Sequence, residues 1–260
     1  MLSWYRSQIK EHGFATATTL FVRVAWSRSF VLVSNRLLAP RVECPCCGWK
    51  GRRFFDYIEA GYKVPNAACP GCDSHSRQRA LSLWLRNEFH LEQQKGIALV
   101  FAPERALTPL WNSARNLVVI KTDIEEARGV DLLADVMHLP LANESVSLIW
   151  CHHVLEQVED DRAGMKEMYR ILKREGVMVI SAGLSSQNET QEFGFRNAKL
   201  SGNRRSYGRD FGKRLEDAGF VVRRMSYDLS PKELEVYAVY LEDFFYCVRS
   251  DYSELATDAS

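Results

Sequence analysis

The sequence predicts an α/β protein: a mostly parallel sheet with helices on both faces, preceded by a small cysteine-bearing module and a helical N-terminal segment. Three observations carry this. From Gly96 onward, short apolar runs alternate with stretches of helical spacing. Five of the seven cysteines fall within 29 positions, Cys44 to Cys72. Residues 1–40 read as one or two helices.

The 260 residues suit one α/β domain with an appendage. The expected divisions are a helical segment over 1–40, a cysteine module over 41–75, the α/β domain over 76–250 and a frayed tail over 251–260. In the first, "TATTLFVRVAWSRSFVLVSNRLL" is apolar in patches but broken by Arg23 and Arg28. No run reaches the roughly 18 apolar residues that span a bilayer. No small-residue cleavage site follows a short apolar core. Such a helix either lies in a membrane interface or docks on its own domain or on a second copy of the chain, giving a homodimer.

In the second, "CPCCG" and "CPGCD" supply Cys44, Cys47, Cys69 and Cys72 as two Cys-x2-Cys turns. Two such turns at this separation present four thiolates tetrahedrally to a structural Zn²⁺, with no open position for catalysis. Gly48 follows the first turn and Asp73 the second. Cys46 is a packed thiol or a substitute ligand, and His75 an alternative ligand. With no secretory signal and this usage of cysteine, a reducing, cytoplasmic setting is expected.

In the third, "SRQRALSLWLRNEFHLE" is a helix linking module and domain. Strands are expected at "IALVFA", "NLVVIKTD", "GVDLLAD", "VSLIWCHH", "GVMVISAG", "FVVRRMSYD" and "LEDFFYCVRS". Helices are expected at "ERALTPLWNSA", "DDRAGMKEMYRILK" (capped by Asp160 or Asp161) and "YGRDFGKRLEDAGF" (stopped by Gly219). Leu184 to Ser206, long, polar and helix-poor, is a candidate lid.

A parallel sheet binds ligands beyond the carboxyl ends of its strands, where strand order reverses. The turn "FAPERAL" after the first strand has no glycine, which argues against a dinucleotide and against a P-loop nucleotide. It leaves adenosine-type ligands open. Asp123 ends the second strand, where a carboxylate accepts both ribose hydroxyls; Asp135 follows the third, where a carboxylate takes an exocyclic amine beside the Val136 amide. Each acid alone is more often a cap or loop residue.

The run "DLLADVMHLPLANESVSLIWCHHVLEQVEDDRAGMKEMYRILKREGVMVIS" resembles class I S-adenosylmethionine-dependent methyltransferases of the methyltransferase-11 type. More narrowly, "VFAPE", "NAACPGCDSHSRQRAL" and "SYGRDFGKRLEDAGF" resemble a bacterial subgroup with an N-terminal zinc ribbon. The resemblance covers about residues 41–250. It implies a Rossmann-like sheet of seven strands, S-adenosylmethionine as cofactor and methyl transfer to a small-molecule acceptor of secondary or cell-surface metabolism. By position, Phe101, Ala102, Pro103 and Glu104 would lie along the methionine part of the cofactor, Asp123 on ribose, and Asp135 and Val136 on adenine. Cys151, His152 and His153 would face cofactor and acceptor. The chain departs from the family at Val100, His152 and Gln157.

Methyl transfer needs alignment, and an oxygen nucleophile also needs a base; His152 or His153 is the candidate. Arg204, Arg205, Tyr207 and Arg209 are candidates for an anionic acceptor, or else a cap and salt-bridge cluster. The net charge of +1 gives no global field for nucleic acid, so a nucleic-acid partner is not expected. The charge is uneven, however. Residues 1–90 hold 13 Lys and Arg against 6 Asp and Glu. Two alternatives stay open: an RNA methyltransferase that reads through the ribbon, and an S-adenosylmethionine-binding protein with a different transfer or no catalysis.

Overall fold

The computed structural model describes residues 2–126, 129–197, 200, 202–240 and 242–251. The expected frayed tail lies outside them from residue 252 onward. The chain forms two compact units. One gathers Met1–Phe89, Arg105–Leu110 and Tyr227–Leu241; the other gathers His90–Glu104, Trp111–Ser226 and Glu242–Ser260.

In the first unit, α1 (Leu2–His12) and α2 (Phe14–Leu37) form a helical hairpin, turned at Gly13 with φ +81°. Left-handed backbone of this kind favours glycine. Tyr5 ties the pair: its ring lies 5.1 Å from Phe21 and its hydroxyl 2.8 Å from that of Thr18. Two antiparallel ribbons follow, β1 (Val42–Glu43) with β2 (Lys50–Gly51) and β3 (Phe55–Ile58) with β4 (Lys63–Ala68). Leu20 and Val24 of α2 pack on Ile58 of β3. Asn35 of α2 accepts from the backbone N–H groups of Arg52 and Arg53 and donates to the Arg53 carbonyl. Helix α3 (Ser76–Asn87), expected as a linker, belongs to this unit, as does a short helix over Pro231–Val236 that the sequence pattern did not reveal. Among the described residues no helix is long and apolar enough to cross a membrane.

The second unit is a seven-stranded sheet of β5 (Gly96–Phe101), β6 (Leu117–Asp123), β7 (Leu132–Leu133), β8 (Val146–His152), β9 (Leu172–Ser181), β12 (Phe220–Met225) and β13 (Phe244–Arg249). The order is β12-β13-β9-β8-β5-β6-β7, and β13 alone runs against its neighbours. Consecutive residues Ile149, Trp150 and Cys151 are all buried, as a sheet covered on both faces requires. Helix α5 (Asp161–Ile171) is capped by Asp160, whose carboxylate accepts from the Ala163 N–H. It presents Met165, Met168 and Ile171 to the core. Helix α6 (Phe211–Asp217) stops at Gly219, where φ is +108° and a Cβ would lie 2.9 Å from the Tyr169 ring.

Three elements differ from expectation. The helix after β5 does not begin at the strand's end; a 3-10 turn over Arg105–Leu107 precedes a six-residue α4 (Thr108–Ser113). Pro109, near its start, lacks the N–H to continue a longer ladder. The strand at "GVDLLAD" shrinks to two residues, because β7 is an edge that pairs only with Thr122 and Asp123 of β6. The candidate lid is in part a hairpin, β10 (Gln191–Asn197) against β11 (Asn203–Ser206).

Candidate functional site

Chain order leaves β5 for β6 and β7 on one side, then crosses to β8 on the other. The carboxyl ends of β5 and β8 therefore flank the reversal point, where the sheet edges cannot close over one another. A cavity of about 350 Å³ lies there, within the range of small-molecule sites. Its wall holds Phe101 at the end of β5 and Ala102 after it, Asp123 at the end of β6 and Glu125 after it, Asp135 and Val136 after β7, and His153, Val154 and Gln157 after β8. Arg196 and Arg204 of the β10–β11 hairpin complete it.

Two backbone features mark this wall. Ala102 and His153 both adopt left-handed φ, +44° and +55°, though neither is glycine. Each follows directly on a central strand. Such conformations cost on the order of 1 kcal/mol and persist where the surroundings impose them, typically at functional sites. Ala102 is held by its N–H to the Thr122 carbonyl at 2.9 Å, and His153 by its N–H to the Ser181 carbonyl at 2.9 Å. The turn after β5 thus does without glycine by forcing alanine into the glycine conformation.

The carboxylates are placed by their own turns. Asp123 accepts from the Glu125 N–H at 3.2 Å and Asp135 from the Met137 N–H at 2.9 Å, each through one oxygen. Across the cavity, Nδ1 of His153 lies 3.1 Å from Oε1 of Glu156, which also accepts from the Gly183 N–H at 2.7 Å. The Glu156 carboxylate is buried. Among the described residues, its Oε2 and the Nε2 of His153 are buried without a hydrogen-bond partner. With Nδ1–H given to the carboxylate, Nε2 carries the lone pair and is able to take a proton. Glu156 was missed in the sequence. The signal that could have found it is its i, i+3 spacing from His153.

Arg205 fixes this loop. Its guanidinium donates to the carbonyls of Leu155, Val158 and Glu159 at 2.6, 2.7 and 2.9 Å, and to Glu192 at 2.9 Å. The Arg204 N–H adds a bond to the Glu156 carbonyl at 2.7 Å.

Of the residues named from the sequence, the cavity brings together Phe101, Ala102, Asp123, Asp135, Val136, His153 and Arg204. Pro103, Glu104, Cys151, His152, Arg205, Tyr207 and Arg209 lie outside its lining. Cys151 and His152 still belong to β8 and are buried by the layers over the sheet; His152 Nδ1 sits 2.6 Å from the Ser181 hydroxyl. Cys151 is fully buried, and burial pushes its thiol well up. Tyr207 is buried and donates to Asp161 at 2.8 Å. Arg209 is exposed, its N–H bonded to the Gln187 carbonyl.

The first unit holds a second centre. The sulfurs of Cys44, Cys47, Cys69 and Cys72 all lie within 4.8 Å of one another. Cys44 to Cys72 and Cys47 to Cys69 are each 3.7 Å. Zinc–sulfur bonds of about 2.3 Å at tetrahedral angles set sulfurs about 3.8 Å apart, so the donor set fits that ion. The two turns are alike. Gly48 N–H bonds the Cys44 carbonyl and Asp73 N–H the Cys69 carbonyl, with φ +73° and +61°. Asp is among the residues that tolerate this conformation, so its substitution for glycine leaves the turn intact. Cys46 is outside the group of four, its thiol toward the Gln78 carbonyl. His75 serves as the N-cap of α3, its N–H bonded to Gln78 at 2.6 Å.

A family model described as a methyltransferase domain matches residues 110–180, the stretch running from α4 to the end of β9. No curated protein matches the chain. Among solved structures, the chain is similar to a SAM-dependent methyltransferase from Archaeoglobus fulgidus, at 12% identity over 68% of this chain and 95% of the other, TM-score 0.48. It is also similar to 1,6-didemethyltoxoflavin-N1-methyltransferase of Burkholderia thailandensis, with 1,6-didemethyltoxoflavin and S-adenosylhomocysteine bound, at 13% identity over 75% and 98%, TM-score 0.47. A third is an S-adenosylmethionine-dependent methyltransferase from Mesorhizobium loti, at 16% identity over 65% and 98%, TM-score 0.43.

Proposed function

We propose that the protein is an S-adenosylmethionine-dependent methyltransferase acting on a small-molecule acceptor. The observation that carries this is the pair of carboxylates, Asp123 and Asp135, at the ends of successive strands on one wall of the switch-point cavity. The match of residues 110–180, a stretch that contains both acids, to the methyltransferase domain supports it further. Asp123 would hold the ribose hydroxyls, Asp135 and Val136 the adenine, and Phe101 and Ala102 the methionine end. Bound there, S-adenosylmethionine supplies an electrophilic methyl group. His153 takes the proton of the acceptor, and Glu156 holds its ring in the tautomer that does so. Arg204 and Arg196 bind an anionic group on the acceptor. The cysteine cluster holds a structural zinc, and seven unbridged cysteines support a cytoplasmic setting.

The test is transfer of labelled methyl from S-adenosylmethionine to small-molecule and RNA pools. Label should enter the small-molecule pool, and Asp123→Ala and His153→Ala should each remove it. Label in RNA alone would overturn the acceptor class. No transfer to either pool, with the cofactor bound, would overturn the activity.

A further inference from the structure

We infer that the bare face of α2 lies on an anionic bilayer surface, holding the first unit to a membrane without spanning it. The helix is apolar on two sides. One side is accounted for: Ala17, Leu20, Val24 and Val31 are buried within the unit. The other carries Val22, Trp26, Phe30, Val33 and Leu37, spaced by three or four residues and so aligned along one stripe of about four turns. All five are exposed; Trp26 is 77% and Leu37 75% accessible. A helix that is apolar on two sides and covered on one only has a partner for the other.

Charge chooses the partner. Helix α2 holds Arg23, Arg28 and Arg36 and no Asp or Glu. Arg28 is on the covered side, over the Phe55 ring at 5.2 Å. At 100° per residue, Arg23 and Arg36 fall about 60° and 80° to opposite sides of Trp26. They border the stripe where long cationic side chains reach lipid phosphates while the aromatic residues enter the acyl boundary. Helix α2 also offers no acid with which a second copy seated on the same face could meet these arginines. Residues 1–42 contain six Lys and Arg and one acid, Glu11. The helix is not a loose tail: Asn35, and Ser27 bonded to Asp56 at 3.4 Å, pin it to the ribbon. The stripe is therefore presented as a fixed surface, exposed along its length.

The test is sedimentation of the full chain with vesicles of phosphatidylcholine alone and with about a third phosphatidylserine. Binding should require phosphatidylserine. The double variant Trp26→Ser, Phe30→Ser should lose it, with zinc content and circular dichroism unchanged. Arg23→Gln and Arg36→Gln should each weaken binding about fivefold. Equal binding to both vesicles would overturn the role of charge. No binding to either, with a dimer in sedimentation velocity that the double variant abolishes, would overturn the proposal in favour of self-association.

Discussion

Arg79 in the first unit and Arg205 in the second are both almost fully buried, and both direct their guanidinium N–H groups at backbone carbonyls. Arg79 reaches five, on Asn66, Ala67, Ser74, Tyr237 and Ala238, and lies over the Phe54 ring at 4.4 Å. Arg205 reaches three and adds the Glu192 carboxylate, with Asp161 at 3.8 Å. The difference is in the counter-charge. Burial pulls the Arg79 guanidinium below its ordinary range, and the neighbouring cysteines Cys44, Cys46, Cys69 and Cys72 pull it back up. The second unit balances its buried cation with its own acids. The first offers cysteines instead, which the proposed zinc would keep ionised. One unit should therefore depend on zinc and the other should not.

The largest effect that would sharpen this contrast is chelation. Structural zinc contributes on the order of 10 kcal/mol to small sites of this kind. Removing it, or making Cys47→Ser, should abolish hydrogen-exchange protection in β3, β4 and α3 while β5, β8 and β9 keep theirs. Uniform protection after metal loss would break the contrast. Next is the arginine pair. Arg79→Ala removes the guanidinium from five carbonyls and should cost about 4 kcal/mol in urea titrations, together with weaker zinc retention. Arg205→Ala should cost about 3 kcal/mol and leave zinc retention alone.

Within the second unit, His153→Ala should lower kcat by about 10²–10⁴-fold with little change in cofactor affinity. Glu156→Gln should lower kcat less and displace the pH profile, as a positioning residue does. If Glu156→Gln changed only stability, Glu156 would be a buried support with no part in proton transfer. The smallest effect is at the turn after β5. Ala102→Gly removes the Cβ from a left-handed position and should raise stability by about 1 kcal/mol in thermal denaturation.

Much of this was legible because local chemistry dictated it. Two Cys-x2-Cys turns bring their thiolates together whatever surrounds them. Apolar runs such as "IALVFA" and "VSLIWC" are buried on both faces and have no alternative to central strands. Asp160 and Gly219 punctuate helices by side-chain and backbone preferences that act over one turn. Where tertiary context decides, the sequence was silent. β10 and β11 are largely polar and become strands only by pairing with each other. His152 and His153 are indistinguishable as adjacent letters. The strand ends between them, so one is sealed among the layers and the next turns left-handed into the cavity wall. Arg205 reads as an anion-binding residue or a member of a salt-bridge cluster, yet its role is set by carbonyls 46 to 50 residues away.

The most direct test of the central claim, that the switch-point cavity holds S-adenosylmethionine through the two strand-end acids, is calorimetric titration of zinc-replete protein with S-adenosylhomocysteine. The account predicts binding that Asp123→Ala and Asp135→Ala each weaken by about tenfold or more, as loss of charge-assisted hydrogen bonds requires. Binding that neither substitution alters, or no binding at all, would contradict it.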